Sequence, residues 1–185
     1  MRNPSSTPPA VTSAKAGRRV LRCEPEAGEY RCLLEVALSE EALAGAPGGG
    51  PVLLVIGKNP STASATRSDP TLGKLEAWAR RAGFARLRLA NLFGLRSPYP
   101  KALNAVPYED AVGEDNDRFI LQAAQGADII LAAWGNPNGV EPGRYARRIS
   151  EAMGLLEGKS VGVVGMTRMG FPRHGLGWNG GWTKK

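Results

Sequence analysis

The sequence is short of the residues that most often carry chemistry. One histidine, His174, in 185 residues excludes a histidine-rich metal site. Any Ser-His-Asp triad would have to run through that single imidazole. Two cysteines exclude a disulfide scaffold, a four-thiolate zinc site and a four-cysteine iron–sulfur cluster. No apolar run reaches the ~18 residues of a membrane span, so no membrane association is expected. Two phosphate motifs are also missing. Gly57-Lys58 fails as a P-loop because Val52 and Asn59 stand where Gly and Ser or Thr are needed. No G-x-G-x-x-G follows a strand-like run, so no dinucleotide fingerprint is present. Neither a cofactor nor a metal is expected.

What is present is a basic chain with material for one core. The net charge is +7 and 42% of residues are hydrophobic, which fits one domain and a tail. Residues 1–20 are rich in Pro, Ser and Thr and hold no acid. They read as a disordered basic arm, with an organellar transit peptide as the other reading of such a composition. They lack the apolar stretch of a secretory signal, and with so few cysteines the expected location is cytoplasmic. Arg2, Lys15, Arg18 and Arg19 account for +4 of the +7. Residues 21–185, the expected single domain, are therefore only mildly basic. A monomer is expected.

Strand-like and helix-like segments alternate along the domain. Residues 30–38 read as a strand, and residues 51–57, PVLLVIG, as one buried on both faces. Asp69 and Pro70 supply an N-cap and a first helical position. Leu72, Leu75, Trp78 and Ala79 then recur at helical spacing over 71–83. Strands are predicted over 86–95, 128–135 and 160–166, and helices over 115–126 and 143–154. Such alternation implies βαβ crossovers. The expected fold is α/β, a three-layer α/β/α sandwich around a central four-stranded, mainly parallel sheet.

Ligands bind such sheets outside the carboxyl ends of the strands. The loops expected there, 58–70, 93–103, 135–143 and 167–182, exceed the usual length of about 2–6 residues. Gly57, Lys58, Asn59, Pro60 and Ser61 follow the buried strand directly. Asn59 either orients a water and a sugar or closes an Asx turn. Asn91 interrupts an apolar strand, so its amide needs either structural partners or a ligand edge. His174 either donates to a developing anion or faces solvent. Trp134, Trp178 and Trp182 either stack on bases or fill the core. Lys58, Arg67, Arg96, Lys101, Arg168 and Arg173 all fall in these loops, a local argument for phosphate contacts.

The series GKNPSTASATRSDPTL, LANLFGLRSPYPKAL, GEDND, ILAAWGN and GFPRHGL resembles a bacterial and phage family, domain of unknown function 1643. Phe171 stands where that family usually has the first His of its last motif, and Gly175 where it usually has the second Pro. More distantly the chain resembles the uracil-DNA glycosylase superfamily: Gly57-Lys58-Asn59-Pro60 is similar to a G-x-N-P motif, Asn91 with Arg96 and Pro98 to a base-reading segment, and FPRHGL to the histidine loop. This resemblance implies a uracil-DNA glycosylase-like fold and a DNA partner. It implies a flipped base read by Asn91, a water positioned by Asn59, and an anionic leaving base stabilised by His174 with Arg173. It places Gly57, Lys58, Pro60, Ser61 and Phe93 among the substrate contacts, and Arg67, Arg96, Lys101 and Arg168 on DNA. Two competing expectations are a non-catalytic binder of nucleic acid or nucleotides, and a hydrolase or transferase acting on free nucleotides.

Overall fold

The computed structural model describes residues 19–45, 49–61, 63, 66 and 69–184. The expected arm lies outside the described residues as far as residue 18, and Arg19 and Val20 open the first strand. The strands are β1 (Arg19–Glu24), β2 (Leu33–Ala37), β3 (Val52–Gly57), β4 (Arg86–Asn91), β5 (Ile129–Ala132), β6 (Val161–Val163) and the two-residue β7 (Thr183–Lys184). The helices are α1 (Glu40–Leu43), α2 (Pro70–Arg81), α3 (Tyr108–Val112), α4 (Asn116–Ala124) and α5 (Pro142–Leu155).

One sheet holds all the strands in the order β1-β2-β4-β3-β5-β6-β7. The four central strands, β4, β3, β5 and β6, run parallel. β1, β2 and β7 pair antiparallel at the flanks. The expectation of four strands is therefore corrected, since the sheet extends at both edges. β1 escapes sequence reading because Arg19, Arg22 and Glu24 break its apolar pattern. Pairing with β2, not hydrophobicity of its own, makes it a strand.

The period-2 alternation of β3 sorts its side chains onto the two faces. Leu53 and Val55 meet Leu72, Leu75, Trp78 and Ala79 of α2. Leu54 and Ile56 meet Phe119, Ile120 and Ala123 of α4 and Tyr145 and Ala152 of α5. Helices thus cover both faces of the sheet. Asp69 caps α2, its carboxylate accepting from the Leu72 amide at 2.8 Å. From β3 the chain crosses to β4 on one side and later returns to β5 on the other. That reversal opens a crevice at the carboxyl end of β3, the switch point where open α/β sheets take their ligands. Among the described residues no helix is long and apolar enough to cross a membrane.

Candidate functional site

A cleft of about 270 Å³ occupies that switch point. It gathers Gly57, Lys58, Asn59 and Ser61 from the loop after β3, Asn91 from the end of β4, and His174 from the loop after β6. Asp69 and Thr71 at the start of α2, together with Arg31, Ser97 and Asn138, complete the polar lining.

Asn91 is 2% exposed, and its Nδ2 has no hydrogen-bond partner among the described residues. A buried, unpaired amide donor costs about 1–3 kcal/mol, so its persistence needs a reason. Two neighbours make its position possible. Gly57 pairs with Asn91 across the β3–β4 ladder, and a Cβ at Gly57 would lie 2.8 Å from Asn91 Oδ1. Asn116, fully buried at the start of α4, donates through Nδ2 to the carbonyls of Asn91 and Leu92 at 3.0 and 3.1 Å. The main chain carrying the carboxamide is thereby pinned.

Asn59 lines the cleft and ties two loops together. Its Nδ2 donates to Ser97 O at 2.7 Å and Pro60 O at 3.1 Å, tying the loops after β3 and β4 together. Pro60 is buried, and its carbonyl also accepts from the Ser97 amide at 2.8 Å.

His174 is held from three sides. Trp178, wholly buried against Trp78, donates through Nε1 to Arg173 O at 2.9 Å. Gly175 lies against Leu75 of α2, where a Cβ would fall 2.7 Å from Leu75 Cδ2. Gly135, at φ +69°, admits the His174 side chain, which a Cβ there would meet at 3.1 Å. The His174 Nδ1 accepts from the Leu176 amide at 3.3 Å, so the neutral ring carries its proton on Nε2. Burial, then the nearby charge of Lys58, push the imidazole below its ordinary pKa, with Asp69 opposing. The ring is a neutral donor at neutral pH.

Lys58 is 4% exposed, and burial lowers its pKa to about 8. Its ammonium stands 5.6 Å from the Tyr145 ring centroid. No ion pair or hydrogen bond satisfies it among the described residues. The cleft is therefore rich in unsatisfied donors.

The remaining expected site residues lie elsewhere. Phe93 is fully buried in the core, edge-on to Tyr108. Arg96 donates to Tyr30 O at 3.0 Å and Ala63 O at 2.9 Å, so it braces a loop instead of presenting a free cation. Lys101, Arg168 and Arg173 are exposed and outside the cleft. Arg67 lies outside the described residues. Phe171 packs on Tyr145 with ring centroids 5.5 Å apart, leaving the cleft to His174. Trp134 and Trp178 are core residues, and Trp182 packs against the core.

Sequence reasoning missed Arg31 and Asn116. Arg31 is 2% exposed and donates to Ala63 O at 2.8 Å, the carbonyl that Arg96 also grips. An arginine inside the apolar run 30–38 was a signal of the same kind as Asn91.

Comparison with curated proteins finds no match, and comparison with solved structures finds none either. The family model described as Protein of unknown function (DUF1643) matches residues 45–176, a stretch that runs from just before β3 through the His174 loop and holds nearly every residue lining the cleft. The chain belongs to the DUF1643 family.

Proposed function

We propose that the protein is a uracil-DNA glycosylase-like enzyme that takes a flipped damaged or modified base into this cleft and hydrolyses its N-glycosidic bond. The observation that carries the reading is Asn91, buried with an unpaired Nδ2 and lining the same small cleft as Asn59 and His174. A carbonyl on the base's pairing edge supplies the acceptor that the protein withholds from Asn91. The order of motifs along the chain, similar to that of the glycosylase superfamily, supports the same assignment.

In this mechanism the C1′–N bond breaks and its electron pair leaves with the base. His174 donates from Nε2 to the base oxygen where charge develops, a contact that strengthens as the bond breaks. Its neutral state suits that role, because the imidazole gives a hydrogen bond without having to lose a proton. Asn59 Oδ1 accepts a hydrogen bond from the attacking water, aiming its oxygen at C1′, and the proton that the water loses passes through solvent to the departing anionic base. Lys101, Arg168 and Arg173 are exposed and would meet phosphates.

Oligonucleotides carrying uracil, other deaminated bases or modified pyrimidines, followed by alkali, test the reading. Strand cleavage at the modified position is the expected result. No alkali-labile site from any of them, with tight salt-sensitive DNA binding retained, would establish the non-catalytic binder instead. One observation favours the third reading, a hydrolase acting on free nucleotides: Arg96 is committed to carbonyls, which leaves fewer cations for a DNA backbone. Release of base from nucleoside monophosphates but not from DNA would select it.

A further inference from the structure

We propose that Lys58 is an amine nucleophile that attacks C1′ of the abasic sugar, giving the protein a lyase activity that follows base release. This inference rests on the glycosylase reading of the same cleft.

Lys58 follows the last residue of β3 at the switch point and lines the cleft beside Asn59, Asn91 and His174. Among the described residues nothing offsets its charge. Among the described residues its ammonium meets the face of the Tyr145 ring and pairs with no carboxylate. A methionine would fill the same space without a buried ammonium. A desolvated amine without a counter-ion is the usual way a lysine becomes nucleophilic near neutral pH. Its ordinary pKa of 10.5 falls to about 8, so a substantial neutral fraction exists in mildly alkaline solution. With the base held through Asn91 and His174, the sugar is the part of the nucleotide left to meet Lys58, which lines the same cleft.

The step balances without an oxidant or reductant. The neutral Nζ adds its lone pair to the C1′ aldehyde of the ring-opened abasic sugar. The carbinolamine loses water and becomes a protonated imine. A C2′ proton passes to solvent, the C3′–O bond breaks, and the downstream strand leaves as a 5′-phosphate. Water then hydrolyses the imine and frees Lys58.

The test starts from an oligonucleotide with one preformed abasic site, so that it does not depend on base release. Full-length protein and this DNA are mixed with sodium borohydride, which reduces an imine to a stable amine. The expected result is a covalent protein–DNA adduct that peptide mapping places on Lys58, and at least a tenfold loss of adduct in Lys58→Met. No adduct, an adduct mapped to another amine such as Lys101, or an undiminished adduct in Lys58→Met would overturn the proposal. Base release from modified oligonucleotides is scored separately. Base release without adduct overturns the lyase and leaves the glycosylase reading standing. Adduct without base release supports the lyase and overturns the glycosylase reading.

Discussion

Replacing Lys58 with methionine should make the protein more stable. Folding lowers the lysine's pKa from 10.5 to about 8. At ~1.4 kcal/mol per pKa unit, the buried charge costs about 3 kcal/mol at neutral pH. Methionine has nearly the same length and no charge to desolvate. The variant forfeits the contact of the ammonium with the Tyr145 ring, worth about 1 kcal/mol. The net gain is about 2 kcal/mol, or a Tm higher by roughly 4–8 °C for a chain of this size. The pH dependence carries a definite sign. Between about pH 8 and 10.5 the unfolded chain binds more protons at this site than the folded one. The wild-type protein therefore recovers stability as pH rises through that window, and the full cost is present below it. His174, which the Lys58 charge also lowers, is already neutral across this window, so the difference curve there reports Lys58. Denaturant unfolding of both proteins from pH 7 to 10.5 measures it. A variant less stable than wild type at pH 7, or a gap that does not narrow with pH, would refute the claim of an unpaired buried ammonium.

The single histidine makes a second prediction easy to read. NMR titration of the imidazole should give a pKa below 6.5, and stability should fall as pH drops below 6.5 because protonation is disfavoured in the folded state; a titration midpoint at or above 6.5 would contradict the site's electrostatics. Gly57→Ala should fold yet lose base release or base binding by about tenfold or more, since its Cβ would press on Asn91 Oδ1 at 2.8 Å; unchanged activity in a kinetic assay would show that Asn91 need not hold this position. Asn116→Leu should cost about 1–3 kcal/mol in chemical denaturation, because the Asn91 carbonyl loses its Asn116 donor while the Leu92 carbonyl keeps the Arg148 guanidinium. A loss under ~0.5 kcal/mol would mean the Asn91 carbonyl finds another partner.

The parallel core was legible because its physics is local. Residues 51–57 are continuously apolar, Asp69 and Pro70 form a recognisable helix start, and Leu72, Leu75 and Trp78 recur at helical spacing. The cleft was legible in part for a related reason. Asn91 conflicts with its apolar strand, and such conflicts collect at sites. Hidden features depend on contacts between distant parts of the chain. β1 carries arginines and a glutamate, and becomes a strand only by pairing with β2. Arg96 looked like a phosphate ligand from its loop, but the Tyr30 and Ala63 carbonyls take its guanidinium. Asn116 looked like part of an acidic helix start, and its role emerges only where α4 passes behind the end of β4. Phe93 belongs to a loop motif, yet the chain buries it as it turns away from the sheet.

The central claim is that the unsatisfied donors of this cleft meet the edge of a nucleobase. NMR titration of isotope-labelled protein with free pyrimidine bases tests it most directly, with the side-chain amide of Asn91 and the ring of His174 as reporters. A saturable shift of the Asn91 amide and the His174 ring, abolished by Asn91→Ala, is the predicted result. Shifts confined to the acidic hollow around Glu109, Asp110 and Asp115, with Asn91 unmoved, would contradict it.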